Sequence, residues 1–140
     1  MKVVIDTNVF VSALLVRESR PAMLIKLWRE GRFDLLTAET QITELNRVTR
    51  YPKIRERLNP ALAGRLINEI RDVAAVIRNL PAVDASPDPY DNYLLSIAAG
   101  GDADYLITGD KDDLLALTRH NRTSIIGITD FLRIVDRYRP

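Results

Sequence analysis

Two short, uninterrupted apolar runs constrain the fold of this chain more than any other feature. They are Val-Val-Ile at residues 3–5 and Tyr-Leu-Ile at residues 105–107. A strand with one face in water alternates apolar and polar residues, whereas a strand covered on both faces is apolar throughout. The two runs therefore predict central strands of a parallel sheet that has helices on both sides.

Three further segments have strand character, and amphipathic helical patterns separate the five. They are residues 33–36, 75–77 and 124–126, of which 75–77 is either a short strand or the last turn of a helix. Four polar residues are expected to cap helices: Asn8, Thr37, Asn59 and Thr129. The alternation predicts an α/β fold, a three-layer α/β/α sandwich with a central parallel sheet of four to five strands. No linker or repeat divides the chain, so residues 1–140 are expected to form one domain.

The composition excludes several classes of site. The chain has no cysteine, which rules out disulfides, thiolate metal ligands and a cysteine nucleophile, and suits a reducing compartment. Asp6 interrupts the first apolar run, so the N-terminal segment does not resemble an export signal. No apolar stretch approaches the roughly 18 to 20 residues that span a bilayer. We therefore expect a cytoplasmic protein with no membrane partner.

The net charge of +1 conceals a strong separation of sign along the sequence. Residues 84–113 hold eight aspartates and one lysine. Residues 47–57, called here the basic segment, hold five basic residues and one acid; the basic ones are Arg47, Arg50, Lys53, Arg55 and Arg57. Arginine can grip a phosphate with two hydrogen bonds. The basic segment is therefore a candidate phosphate-binding surface, although most single arginines on a surface are simply solvated.

Four acidic residues are expected to meet at one edge of the predicted sheet. Asp6 directly follows the first strand and Asp110 follows the strand at 105–107, and the carboxyl ends of parallel strands share an edge. Asp91 begins the helix that leads into that second strand, at the top of its inward-facing row. Glu44 lies at the border of the apolar face of the third helix. Taken singly, each acid could instead be a helix cap, a surface charge, a dipole partner or a turn residue.

Such a group of carboxylates indicates a metal site. Four acids at one sheet edge would repel one another and raise each other's pKa unless a cation neutralised them. Ligand sets made of oxygen alone select hard cations, so Mg²⁺ or Mn²⁺ is the expected cofactor. These ions catalyse phosphodiester cleavage by activating a water and stabilising charge on the reacting oxygens.

Four motifs of the chain resemble those of PIN-domain nucleases. They are Val-Val-Ile-Asp-Thr-Asn-Val-Phe-Val-Ser-Ala-Leu at 3–14, Asp-Pro-Tyr-Asp-Asn-Tyr-Leu-Leu-Ser-Ile-Ala at 88–98, Asp-Ala-Asp-Tyr-Leu-Ile-Thr-Gly-Asp-Lys-Asp-Asp-Leu-Leu at 102–115 and Ile-Thr-Asp-Phe-Leu at 128–132. Each motif is weak alone, but their order and spacing are specific and extend over nearly the whole chain. The chain is most similar to the toxin components of bacterial and archaeal toxin–antitoxin pairs.

The resemblance implies an endoribonuclease that cleaves RNA phosphodiester bonds with a metal-activated water. The acids that match the family's metal-binding quartet are Asp6, Glu44, Asp91 and Asp110. Glu44 would bind a metal or position the water. The residues that would support the site are Asn8, Ser12, Thr108 and either Asp112 or Asp113. The basic segment would hold the RNA backbone beside the acids.

One segment departs from the family's pattern. Similar toxins tend to carry a run of acids where this chain has Asp88-Pro89-Tyr90-Asp91-Asn92, so Tyr90 and Asn92 replace two of them. Asp91 keeps the expected spacing to the rest of its motif, and Asp88 is the alternative ligand.

The resemblance also implies a homodimer inhibited by a cognate antitoxin protein. The apolar residues within 24–28 and 62–66 are candidates for those contacts, or else simply belong to the core.

Two other classes of function remain open at this point. The first is a non-catalytic RNA-binding or assembly module, which would keep the basic segment and need no metal. The intact acids count against it, because an idle carboxylate cluster costs stability. The second is a phosphoryl-transfer enzyme or receiver-like domain with Asp6 as the nucleophile. The phosphatase pattern expects an aspartate two residues later, where this chain has Asn8.

Overall fold

The computed structural model describes residues 1–109 and 113–137. In these residues a six-stranded sheet has the strand order β3-β2-β1-β4-β6-β5. The strands are β1 (Lys2–Ile5), β2 (Asp34–Thr37), β3 (Ala75–Val76), β4 (Tyr105–Ile107), β5 (Arg119–His120) and β6 (Thr123–Ile126). All neighbouring pairs are parallel except β5 with β6. The predicted parallel sheet is confirmed, and the two-residue β5 is an addition that is too short to show any periodicity in the sequence.

Helices cover both faces of the sheet and form the two outer layers. They are α1 (Thr7–Leu15), α2 (Arg20–Arg29), α3 (Glu39–Val48), α4 (Pro52–Arg55), α5 (Pro60–Val73), α6 (Pro89–Gly100), α7 (Leu114–Leu117) and α8 (Ile128–Arg137). Within the described ranges, no helix is both long and apolar enough to cross a membrane. The three-layer α/β/α architecture predicted from the sequence is therefore confirmed.

The burial of residues 3–5 explains why this part of β1 is apolar without interruption. Val3 and Ile5 are fully buried in a core cluster that they share with helices α1, α2, α3, α5 and α8. Val4 is fully buried in a second cluster on the opposite face, which it shares with α6 and Leu114 of α7. Because successive side chains of a strand point to opposite faces, the part of a strand that lies between two cores has no polar position. Lys2, at the start of β1, is outside that part and is exposed.

The strand order reverses beside β1, and this reversal creates a crevice. β1 lies between β2 and β4 and pairs in parallel with both. The chain moves outward from β1 to β2 and β3, then returns to the other side of β1 with β4. In open α/β sheets, ligands bind beyond the carboxyl ends of the strands at such a point. The crevice is lined by residues that follow β1 and β4.

Three of the four predicted helix caps are wrong: two lie inside the helix that they were expected to cap, and the third bonds to a buried side chain. Asp6, not Asn8, caps α1 by accepting a hydrogen bond from the backbone N–H of Asn8 at 3.1 Å. Thr129 lies inside α8, which begins at Ile128. Thr37 is the last residue of β2, and its hydroxyl donates to a buried glutamine instead of capping α3. Asn59 caps α5 as predicted.

Candidate active site

A cavity of about 450 Å³ opens at the carboxyl edge of the sheet, between the start of α1, the start of α6 and the residue that follows Thr108. Its lining residues are Asp6, Asn8, Val9, Ser12, Pro21, Asp88, Tyr90, Asp91, Gly109 and Ile128. Three carboxylates from two segments that are far apart in sequence, Asp6 from one and Asp88 and Asp91 from the other, therefore face one space. The exposed side chains of Asn8 and Ser12 lie one helical turn apart and line the same wall.

Three hydrogen bonds fix the carboxylate of Asp6, which is 3% exposed. Its Oδ1 accepts from the backbone N–H of Asn8 at 3.1 Å and from the hydroxyl of Tyr90 at 2.8 Å. Its Oδ2 accepts from the hydroxyl of Thr108 at 2.8 Å. The backbone N–H of Asp6 continues the β1–β4 ladder by donating to the carbonyl of Ile107. The side chain is thus held from α1, from α6 and from the residue that follows β4.

Asp88, Asp91 and Asp113 form a group of acids at the start of α6. One carboxylate oxygen of each lies within 4.8 Å of those of the other two. Asp91 is 1% exposed, and its Oδ2 accepts a hydrogen bond from the Ser86 hydroxyl at 3.0 Å. Asp88 caps α6, and Asp113 precedes α7. The donors are all oxygen, and this chemistry suits a hard divalent cation.

Asn92 organises the loop that approaches these acids, in a position where the resemblance led us to expect an acid. Its Oδ1 accepts from the backbone N–H groups of Ala85 and Ser86 at 3.0 and 2.9 Å. Its Nδ2 donates to the carbonyl of Ser86 at 2.8 Å. These bonds place the buried Ser86 hydroxyl against Asp91. The sequence contains no short-range pattern from which this loop closure could be predicted.

Two tyrosines of α6 connect the acids to the start of α1. The Tyr90 hydroxyl donates to Asp6, and the Tyr93 hydroxyl lies 3.3 Å from the hydroxyl of Thr7. Their rings meet edge to face, with centroids 5.4 Å apart. Burial, reinforced by the nearby Asp6 carboxylate, raises the pKa of Tyr90 far above its ordinary value. Burial also raises the pKa of Tyr93 to about 12, and Glu44 and Asp6 add to this effect. Both hydroxyls therefore keep their protons at neutral pH.

A buried amide supports the end of β1 beneath the cavity. Gln41 donates through Nε2 to the carbonyl of Ile5 at 2.6 Å, where the strand has no partner on β2. Its Oε1 accepts from the Thr37 hydroxyl at 2.6 Å. The same Nε2 lies 3.4 Å from the Thr7 hydroxyl. Gln41 was not singled out by the sequence, because a polar residue on a helix is usually exposed.

Glu44 lies one turn of α3 beyond Gln41 and is not among the described residues that line the cavity. Both of its carboxylate oxygens accept from the Arg47 guanidinium, at 2.7 and 2.6 Å. Arg47 also contacts the Tyr51 hydroxyl, and its guanidinium stacks over the Tyr51 ring at 5.3 Å. The charge of Glu44 contributes to the raised pKa of Tyr93. Its role as a metal ligand or water-positioning group stays a prediction.

The remaining predicted site residues fall into three groups. Thr108 is fully buried and bonded to Asp6. Asp110 and Asp112 lie outside the described residues. Four members of the basic segment are exposed and make no salt bridge within the described part of the chain: Arg50, Lys53, Arg55 and Arg57.

Comparison with known proteins gives one family and one curated relative. The family described as PIN domain matches residues 2–112. An uncharacterized protein of Methanocaldococcus jannaschii is 31% identical over 123 residues, which cover 87% of this chain and 78% of that protein. No solved structure matches the chain significantly. The matched range contains β1 to β4, the residues between them and two of the three clustered acids.

Proposed function

This chain belongs to the PIN domain family, and from that premise we propose that it is a metal-dependent endoribonuclease. The observation that carries the proposal is the meeting of Asp6, Asp88 and Asp91 around one cavity at the strand-order reversal, with Asp113 within 4.8 Å of the latter two. Such an arrangement of oxygen donors fits Mg²⁺ or Mn²⁺. When bound, the ion would supply Lewis acidity that activates water and neutralises charge on the reacting phosphate.

We assign complementary roles to the chain's own residues. Asp6 would bind the cation in a fixed orientation, since three hydrogen bonds already hold it. Asp91 would complete the coordination together with Asp88 or Asp113, and Asp110 stays a predicted ligand. Asn8 and Ser12, both exposed on the cavity wall, can donate hydrogen bonds to a phosphate oxygen or a water. Thr108 orients Asp6 and so acts through it.

The experiment that tests this function uses a closed circular RNA, which has no ends. An endonuclease opens the circle, whereas an exonuclease degrades the linear RNA of the same sequence and leaves the circle intact. We expect the protein with Mn²⁺ to open the RNA circle and to leave the matching DNA circle intact. Binding to both RNA forms with no cleavage of either would favour the non-catalytic binding module.

We propose that the exposed basic segment holds the RNA backbone. Replacing Arg50 and Arg55 together with alanine should weaken RNA binding and reduce its salt dependence. Each lost phosphate contact on a single strand lowers the slope of log affinity against log salt by about 0.7, so the double variant should lose about 1.4. The control is Arg133→Ala, an exposed arginine of α8 that pairs with Asp130 at 3.6 Å. Filter binding at four salt concentrations measures both slopes, and equal slopes would contradict the assignment.

We further propose a toxin role in the cytoplasm, with homodimer formation and inhibition by a cognate antitoxin. A groove of about 1000 Å³ between α2 and α5 is the surface that we assign to these protein contacts. Met23 and Leu62 in this groove are 47% and 38% exposed, whereas Leu24, Trp28 and Leu66 belong to the core.

Expression should arrest growth of a host cell, and co-expression of an adjacent small gene should relieve the arrest. Sedimentation should give the mass of a dimer, and normal growth on expression would oppose the toxin role.

A further inference from the structure

We propose that the Tyr90 hydroxyl restricts Asp6 to binding a divalent cation through one oxygen, and thereby selects small ions such as Mg²⁺ over Ca²⁺. The inference rests on the metal site of the proposed function and adds a specificity-determining residue to it. It concerns a side chain that stands where similar toxins tend to carry an acid.

An ionised carboxylate offers about four lone-pair sites, two on each oxygen. Both sites on Asp6 Oδ1 are used, by the Asn8 backbone N–H at 3.1 Å and the Tyr90 hydroxyl at 2.8 Å. On Oδ2 the Thr108 hydroxyl uses one site at 2.8 Å. Counting the described residues alone, a single lone pair on Oδ2 therefore remains for a cation. Asp6 cannot chelate through both oxygens while the Tyr90 bond is present.

The Tyr90 hydroxyl is held in place by its surroundings. The backbone N–H of Tyr90 donates to Asp88 Oδ1 at 3.0 Å in the first turn of α6. Its ring packs edge-on against Tyr93, which in turn contacts the buried Thr7. The same helical turn carries Asp88 and Asp91, so the hydroxyl and these acids are fixed relative to each other. Tyr90 is thus a positioning residue that acts through Asp6.

Binding through only one carboxylate oxygen of Asp6 should lower the affinity for some divalent cations more than for others. Ca²⁺ takes six to eight oxygen ligands and often binds carboxylates through both oxygens, whereas Mg²⁺ keeps a small octahedral shell with several waters. Loss of one carboxylate oxygen should therefore weaken Ca²⁺ binding more than Mg²⁺ binding. Removing the Tyr90 hydroxyl returns a lone pair to Oδ1. Asn8 and Thr108 still orient the carboxylate, so its position should be retained.

The test is calorimetric titration of the full-length protein with Ca²⁺ and with Mg²⁺, before and after Tyr90→Phe. We expect the variant to bind Ca²⁺ more tightly by on the order of tenfold, an effect comparable to changing other hydrogen-bonded partners of metal ligands. Its affinity for Mg²⁺ should change by less than about twofold. The matched control is Tyr93→Phe, on the same helix, whose hydroxyl contacts Thr7 and not Asp6. It should leave both affinities unchanged.

Three outcomes would overturn the inference. Equal tightening for both ions, unchanged affinity for both, or weaker binding of both would each show that Tyr90 does not set the ion preference. Failure of the proposed function looks different, because the wild type itself would then bind neither ion. Thermal melting of each variant identifies a folding defect. If Tyr90→Phe melts early, the titrations are repeated at a temperature at which this variant is folded, and the same selective gain in Ca²⁺ affinity is expected.

Discussion

Replacing Asp6 with asparagine is expected to lower the rate of RNA cleavage by roughly a thousandfold while the chain stays folded. The substitution removes one negative charge from the cavity and leaves an amide that is a poor ligand for a hard cation. Loss of the cation's stabilisation of the transition state is worth about 4 kcal/mol, which corresponds to this factor in rate. The asparagine Oδ1 can still accept hydrogen bonds and cap α1, so the fold should be retained.

The control for this result is Asp34→Asn. Asp34 is exposed at the beginning of β2, on the edge of the sheet opposite the cavity, and also loses one negative charge when replaced. Initial rates on labelled RNA at saturating Mn²⁺ should be unchanged in this control. If Asp6→Asn cleaved at a rate within about tenfold of the wild type, Asp6 would not bind a catalytic cation.

Replacing Asp91 with asparagine is expected to abolish the stabilisation of the protein by Mn²⁺. Asp91 is the one buried member of its acidic group, at 1% exposure, and its carboxylate lies within 4.8 Å of the other two. Removing its charge should weaken Mn²⁺ binding by at least about a hundredfold. Replacing a residue that only orients a metal ligand weakens metal binding by about ten- to a hundredfold, and loss of a direct ligand should match or exceed the upper value. The metal-free protein should become more stable by about 1 kcal/mol, because repulsion among the acids is relieved.

Thermal unfolding with and without Mn²⁺ measures both effects. The wild type should melt at a higher temperature with the ion, since a ligand that binds only the folded state stabilises it. Asp91→Asn should melt at the same temperature in both conditions. The control is Asp84→Asn, an exposed acid in the loop before α6 that is not part of the group. A full Mn²⁺ response in Asp91→Asn would exclude Asp91 as a ligand.

The parts of this molecule that could be predicted are those that local sequence determines. The apolar run at residues 3–5 specifies a strand between two cores, and its end places Asp6 at the sheet edge. The order of strands and helices then determines the α/β/α layers. The parallel pairing of β1 with β4 agrees with the expected parallel sheet, whereas the strand order was not predicted.

The rest depends on contacts between residues that are far apart in sequence. Tyr90 bonds to Asp6 across 84 positions, and Thr108 does so across 102. Sequence periodicity does not reveal such pairs. Nothing in the position of Tyr90 between Asp88 and Asp91 predicts that its hydroxyl bonds to Asp6. One failed prediction is instead local in sequence: the Thr37 hydroxyl was expected to cap a helix and bonds to Gln41, four residues later, inside the core. The buried amide competes successfully because an unpaired polar group there would cost about 1–3 kcal/mol.

Glu44 shows a different kind of difficulty. Its position at the border of the apolar face of α3 left both a site role and a surface charge open, and the side chain is partly buried. Arg47, three residues later, is an expected partner for it on a helix surface. The structure contains that pair at 2.6 Å. A sequence can therefore indicate both roles, and only a bound cation would decide between them.

The most direct test of a metal-dependent active site is cleavage of RNA by chelator-treated protein as Mn²⁺ is added back. We expect no cleavage in EDTA, recovery of cleavage as Mn²⁺ rises through the range in which calorimetry detects binding, and no recovery in Asp6→Asn. Cleavage that persists at full rate in excess EDTA would contradict a carboxylate-bound cation as the source of activity.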